Sequence, residues 1–180
     1  RYSVALSLTT DLPDGVSLQL LSEALAEGGD AARFLQRRFE RTDEVFARLN
    51  AALATEGVLL RAEPETRSEQ PLHLVFIGTA DGVDRAWHLR NLIELRAGAT
   101  LTVVEHHIAV DAHAHFINAL SHVHLSKGAR LTHARIESDS ERATTLLRTD
   151  AVIARDAEYR RVDLELGGAL SRHELNVRLE

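Results

Sequence analysis

The stretch Leu95-Arg-Ala-Gly98-Ala99-Thr-Leu101 returns as Leu125-Ser-Lys-Gly128-Ala129-Arg-Leu131, and a looser third copy reads Ile153-Ala-Arg-Asp156-Ala157-Glu-Tyr159. The alanines fall at 99, 129 and 157, and self-similarity at a period of about thirty residues is how a stacked solenoid shows itself in sequence. Gly or Asp ahead of each alanine marks a corner between strands. The reading is a mainly β fold, a right-handed parallel β-helix over residues 57–180 preceded by a small α-helical segment over 1–56, with further turns expected beyond Glu180. Leu95, Leu125 and Ile153 should then stack in one column, with Gly98, Gly128 and Asp156 at equivalent corners.

The strands after the corners can be compared position by position, because equivalent residues of successive coils stack at about 4.8 Å. Val104, Ala134 and Val162 form one column, and His106, Ile136 and Leu164 the next of the same parity. Glu105, Arg135 and Asp163 take the opposite parity. The two apolar columns are expected inside, with His106 as a buried, hydrogen-bonded core imidazole, the alternative being a buried functional one. The acid–base–acid column is expected outside, where such ion pairs contribute about 0–1 kcal/mol.

Upstream the texture is helical. Leu18, Leu21 and Leu25 recur at helical spacing over Ser17–Glu27, with Gly28–Gly29 as the stop. Asp30 can cap a segment through Phe34, Leu35 and Phe39. Thr42 can cap another, in which Val45, Phe46, Leu49, Ala52 and Leu53 form a stripe expected to pack into the core. After Gly57 the helical spacing ends. Val58–Leu60 and Leu72–Ile77 are short apolar runs broken by Pro64, Pro71 and Gly78.

Composition narrows the function. The apolar fraction is 44% and the aromatic fraction only 4%, so the core rests on small aliphatic side chains, which suit a narrow, repetitive interior. A net charge of −6 argues against a protein built to grip phosphate backbones, and nucleic acid is not expected as a partner. No run of about 18 apolar residues and no signal-peptide pattern opens the chain, so a cytoplasmic location is expected and no membrane partner. Cysteine is absent, which excludes thiolate metal sites within these residues.

The ten histidines include His106–His107, His113-x-His115 and His122-x-His124, and His-x-His on a strand aims both rings at one face. That pattern opens a cupin-like metalloenzyme as an alternative. The acid such a site needs is missing after His115 and after His124. Ile117, Ala119, Val123 and Leu125 share the apolar parity, which puts His122 and His124 on the other side with Asn118, facing solvent or a neighbouring sheet. A carbohydrate-active β-helix would need paired carboxylates and an aromatic platform, and Trp87, Tyr2 and Tyr159 are scattered. No nucleophile triad, phosphate loop or dinucleotide fingerprint is present. A freestanding β-solenoid that binds a small ligand is the non-enzymatic alternative. No catalytic, cofactor-binding or metal-ligating residue is assigned.

The segment Glu44-Val-Phe-Ala-Arg-Leu-Asn-Ala-Ala-Leu-Ala-Thr-Glu-Gly-Val-Leu-Leu60 resembles the passage from helices into β-helix in the SufB/SufD family of iron–sulfur cluster assembly scaffolds. The resemblance continues through Glu69-Gln-Pro-Leu-His-Leu-Val-Phe-Ile77, Arg90-Asn-Leu-Ile93, Ala97-Gly98-Ala99 and Val103-Val104-Glu105-His106. It ends with Leu166-Gly-Gly-Ala-Leu-Ser-Arg-His-Glu-Leu-Asn-Val177. The pattern fits the SufD branch, with SufB as the alternative. It implies a non-catalytic subunit of the SufBCD complex, paired with a SufB-like homologue through the β-helix. A SufC-like ATPase would dock on C-terminal helices that follow Glu180. No cofactor is expected on these residues, the cluster being handled by the complex.

Overall fold

A computed structural model describes residues 12–28, 44–54, 56–79 and 84–180. Twelve elements follow in order: β1 (Val16–Leu20), α1 (Leu21–Glu27), α2 (Val45–Leu53), β2 (Val58–Ala62), β3 (Leu72–Gly78), β4 (Arg85–Leu95), β5 (Thr100–Ala109), β6 (His115–Leu125), β7 (Arg130–Ser138), β8 (Thr144–Ile153), β9 (Glu158–Glu165) and β10 (Leu170–Leu179). They form a six-stranded sheet, ordered β1-β2-β4-β6-β8-β10, and a four-stranded sheet, ordered β3-β5-β7-β9. Strands alternate between the sheets along the chain and pair in parallel with the strand two elements on, which is a β-solenoid; only β1 and β2 run antiparallel.

The repeat fixes the coil as expected. Leu95 stands opposite Leu125, and Leu125 opposite Ile153. Gly98, Gly128 and Asp156 have φ of 70°, 70° and 62°. Each corner closes on a backbone bond three residues back, from Ala99, Ala129 and Ala157 to Arg96, Ser126 and Ala154. The positive φ falls at the third residue of each turn, where glycine or a short polar residue is favoured. A fourth corner precedes them at Glu63-Pro64-Glu65-Thr66, in register through the pairings of Ala62 with Leu95 and Arg67 with Thr100. Glu65 there has φ 59°, and Pro64 presets the second turn position.

Between the sheets, on the side near these corners, Leu60, Ile93, Leu95, Val123 and Leu125 pack against Leu101 and Leu131, all buried. Burying each such side chain contributes about 1.5–3 kcal/mol. Coil stacking therefore repeats one hydrophobic layer.

Three expectations change. Val16–Leu20 is a strand, not the first turn of a helix over Ser17–Glu27. Val16, Leu18 and Leu20 alternate as well as Leu18, Leu21 and Leu25 step helically. The free edge of β2 supplies the partner that decides for a strand, and these three side chains join the core between the sheets. Only Leu21–Glu27 is helical, seating Leu21 and Ala24 on Leu59 and Leu92 at the outer side of the six-stranded sheet. In α2 the expected apolar stripe is largely exposed, with Val45 at 70% and Leu53 at 51%. The helix docks instead through Ala47 and Asn50, whose amide donates to the carbonyls of Leu89 and Asn118 while the Asn118 amide donates to that of Phe46. These buried bonds on the sheet surface set the helix's rotation. The capping residues Asp30 and Thr42 and the segment through Phe39 lie outside the described residues.

The third change is the parity of the strands after the corners. The columns are as expected, Val104 opposite Ala134 opposite Val162 and Glu105 opposite Arg135 opposite Asp163, but they face the other way. Glu105 is 3% and Arg135 1% exposed, while Val162 is 62% exposed. His106 lies in the outward set with Ile136 and Leu164, and its ring is reachable from solvent. The reason is phase: Leu101, Leu131 and Tyr159 leave the corner pointing inward, and alternation carries positions 103, 105 and 107 and their equivalents inward with them.

Candidate functional site

The interior changes character across the four-stranded sheet. Near the corners it is apolar; farther along the strands β5 turns in Glu105 and His107, β7 His133, Arg135 and Glu137, and β9 Arg161, Asp163 and Glu165. From the facing sheet Asn91, Ser121 and Thr149 stack in one column. The charged groups make one network along the coil axis, which Thr149 joins from the facing sheet. His107 Nε2 lies 3.6 Å and His133 Nε2 3.1 Å from different oxygens of Glu105. Arg161 donates to His133 Nδ1 at 2.9 Å, so the proton on His133 is on Nε2, facing Glu105. Arg161 also donates to Asp163 at 2.7 Å. Arg135 then joins the carboxylates of three positions, Asp163 at 2.8 Å, Glu165 at 2.7 Å and Glu137 at 3.3 Å. Ser171 donates to Glu137 at 2.9 Å, and His173 lies 3.0 Å from Thr149 and 3.3 Å from Asp163.

Charges set so deep persist only in pairs. Burial alone would raise the Glu105 carboxyl, but the imidazoles of His133 and His107 outweigh it and hold the group well below the usual carboxylate range. Asp163 is likewise held low against its burial, by hydrogen bonds from His173, Arg161 and Arg135. Burial opposes charge on Arg161, yet Asp163, Tyr159 and Glu105 raise it further. Tyr159 is raised by burial. Such an arrangement fixes charges and locks adjacent coils in register. Glu105 divides its oxygens between two imidazoles, His107 on its own strand and His133 on the next. Among the described residues no three His, Cys, Asp or Glu gather to hold a metal ion.

The histidines singled out by spacing scatter over different surroundings. His122 and His124 are on the outer side of the six-stranded sheet, opposite in parity to Ile117, Ala119, Val123 and Leu125 as expected. His122 does not face solvent: it is 4% exposed, next to Leu92 and Asp150 in register and 3.5 Å from the guanidinium of Arg90. Burial brings that guanidinium down to about 10, with Asp150 acting the other way. His113 and His115 sit beside Trp87, which stacks on His115 at 4.6 Å, while His115 Nε2 is 2.9 Å from Asp139. His73, which no spacing pointed to, meets His106 on the outer face of the four-stranded sheet, its Nδ1 2.9 Å from Nε2 of His106. Counting phase from Leu101 was the one signal that could have found the interior network.

No described helix is long and apolar enough to cross a membrane. Residues 76–180 match the family described as SUF system FeS cluster assembly, SufBD core domain, a stretch that runs from within β3 to the end of β10. The chain is 27% identical, over 98% of its length, to the iron–sulfur cluster assembly SufBD family protein slr0076 of Synechocystis, of which it covers 41%. It is 28% identical, over 97% of its length, to the iron–sulfur cluster assembly protein SufD of Escherichia coli, of which it covers 44%. The chain thus spans less than half the length of these relatives.

Proposed function

We propose, on the premise that this chain belongs to the SufBD core family of the SUF iron–sulfur cluster assembly system, that it works as a non-catalytic scaffold in cluster assembly. One observation carries the reading: the matched stretch, residues 76–180, lies wholly within the solenoid, from β3 through β10, and leaves out the helices ahead of it. In this reading the chain acts in the cytoplasm as the SufD-type member of a SufBCD-type complex, pairs with a SufB-type homologue through the solenoid and works with a SufC-type ATPase. The cluster is cargo of the assembly, and these residues hold no resident cofactor.

The outer face of the four-stranded sheet supports an interface role. Val75, Ile77, Val162 and Leu164 are exposed there, and two columns cross all four strands, His73-Val104-Ala134-Val162 and Val75-His106-Ile136-Leu164. Contiguous apolar surface of this kind marks interaction sites, and its repeat at the strand spacing matches a second sheet of the same kind. Co-expression tests the reading. The full-length protein should co-purify with a SufB-type homologue and a SufC-type ATPase, and capture of neither partner would overturn it.

A further inference from the structure

The histidine pair on that same outer face is used neither by the interior network nor by the scaffold reading. His73 and His106 lie on adjacent parallel strands, with His73 opposite Val104 and Val75 opposite His106. Their ring planes are 24° apart, and the facing nitrogens are separated by 2.9 Å. Two ring nitrogens at that distance share one proton, carried by one ring and accepted by the other. A metal cation is the other electrophile that two imidazole lone pairs can hold in common. We propose that His73 and His106 form a two-point site for an exchangeable divalent first-row transition cation.

The separation is near what a shared ion requires. Two metal–nitrogen bonds of about 2.0–2.1 Å span about 2.9 Å when they meet at a right angle and about 3.4 Å at the tetrahedral angle. The observed 2.9 Å is the separation of a hydrogen-bonded pair, close enough that a small rotation of the rings reaches either span, and copper(II) leads the divalent series in affinity for imidazole. Each ring must turn to bring both lone pairs to one side, and the second side-chain torsion of histidine is soft. The strands that carry the rings are held by the β3–β5 ladder, so the pair is positioned before any ion arrives. The adjoining columns place Val75, Val104, Ala134 and Ile136 around it, with no Lys or Arg among them. With two protein ligands the remaining positions fall to water, which makes the ion exchangeable.

Copper(II) titrated into the full-length protein, followed by electron paramagnetic resonance and calorimetry, tests the site. One equivalent should bind with two equatorial ring nitrogens, and His73→Asn or His106→Asn should each lower affinity at least about tenfold and remove the two-nitrogen signature. His124→Asn should leave both readouts unchanged, which separates this pair from the other histidines. Competition should follow copper(II) above nickel(II). In the unsubstituted protein, nickel(II) should broaden the ring resonances of His73 and His106 before those of any other histidine, a readout that needs no variant to fold. Absence of copper binding, an unchanged spectrum in both the His73→Asn and the His106→Asn variant, or earliest broadening elsewhere would each overturn the proposal. Partner capture does not depend on the outcome, so the two readings fail separately.

Discussion

Arg135 holds three carboxylates with its guanidinium wholly removed from water. Removing one partner of a buried ion pair leaves the others uncompensated and costs about 3–5 kcal/mol. Arg135→Met is therefore expected to destabilise by that amount in chemical denaturation, although methionine fills much of the same volume; a change below about 1 kcal/mol would mean that the network carries little. Asp163 gives the pH dependence. Its folded-state pKa lies below the ordinary aspartate value of 3.8, so its contribution is present above about pH 4 and is lost as pH falls through the depressed value. Asp163→Asn should lower stability at neutral pH and flatten the acid limb of the stability curve; parallel curves for the two proteins would refute this assignment. At this scale the sequence was legible in part. The columns could be paired from the repeat, but hydrophobicity chose the wrong side, because Val104, His106 and Ile136 look more like core than Glu105 and Arg135. Period-two counting from Leu101 would have chosen correctly, since the backbone pleat and not side-chain polarity decides which way a residue points.

The corners are where local chemistry specifies an element. Gly128 has φ 70° and nothing within 4 Å of where a Cβ would stand, so Gly128→Ala isolates the backbone cost of the left-handed region, about 1–2 kcal/mol. Gly57 differs. At φ 148° its Cβ would lie 2.0 Å from the backbone oxygen of Arg90, and the clash is with a strand that cannot move alone. Thermal unfolding should rank Gly57→Ala as the more damaging of the two, and equal midpoints would count against the steric argument. The corner sequence Gly-Ala was legible because φ above zero restricts the residues that fit. Glu65 escaped because Pro64 supplies the turn without glycine. The same limit applied to β1, where Val16–Leu20 satisfies strand and helix spacing alike and only the unpaired edge of β2 chooses. In α2, hydrogen bonds of Asn50 to two strand carbonyls overrode the helix's own apolar stripe, a tertiary effect that no periodicity contains.

For the whole molecule, the scaffold reading assigns the solenoid two jobs by face. Its interior carries stability, in the stacked leucines and the charged network, while its four-stranded outer face carries apolar columns that the fold does not need. Replacing outward residues should then leave folding intact and change association alone. Val75 and Val162 stand on β3 and β9, the two edge strands of that face, and are 50% and 62% exposed. The double variant Val75→Lys/Val162→Lys removes little buried area, and exposed substitutions away from special features alter stability by within about 0.5 kcal/mol. Two ammonium groups facing a second apolar sheet would have to be desolvated without partners, which is strongly unfavourable. The unfolding midpoint of the full-length variant should stay close to that of the parent, and its capture of a SufB-type homologue should fall by at least about tenfold. Unchanged capture would place the interface elsewhere on the solenoid, and loss of folding would show that these columns serve the core after all. A matching double lysine substitution on the exposed stripe of α2, at Val45 and Leu53, controls for added charge and should leave capture of the homologue as it was.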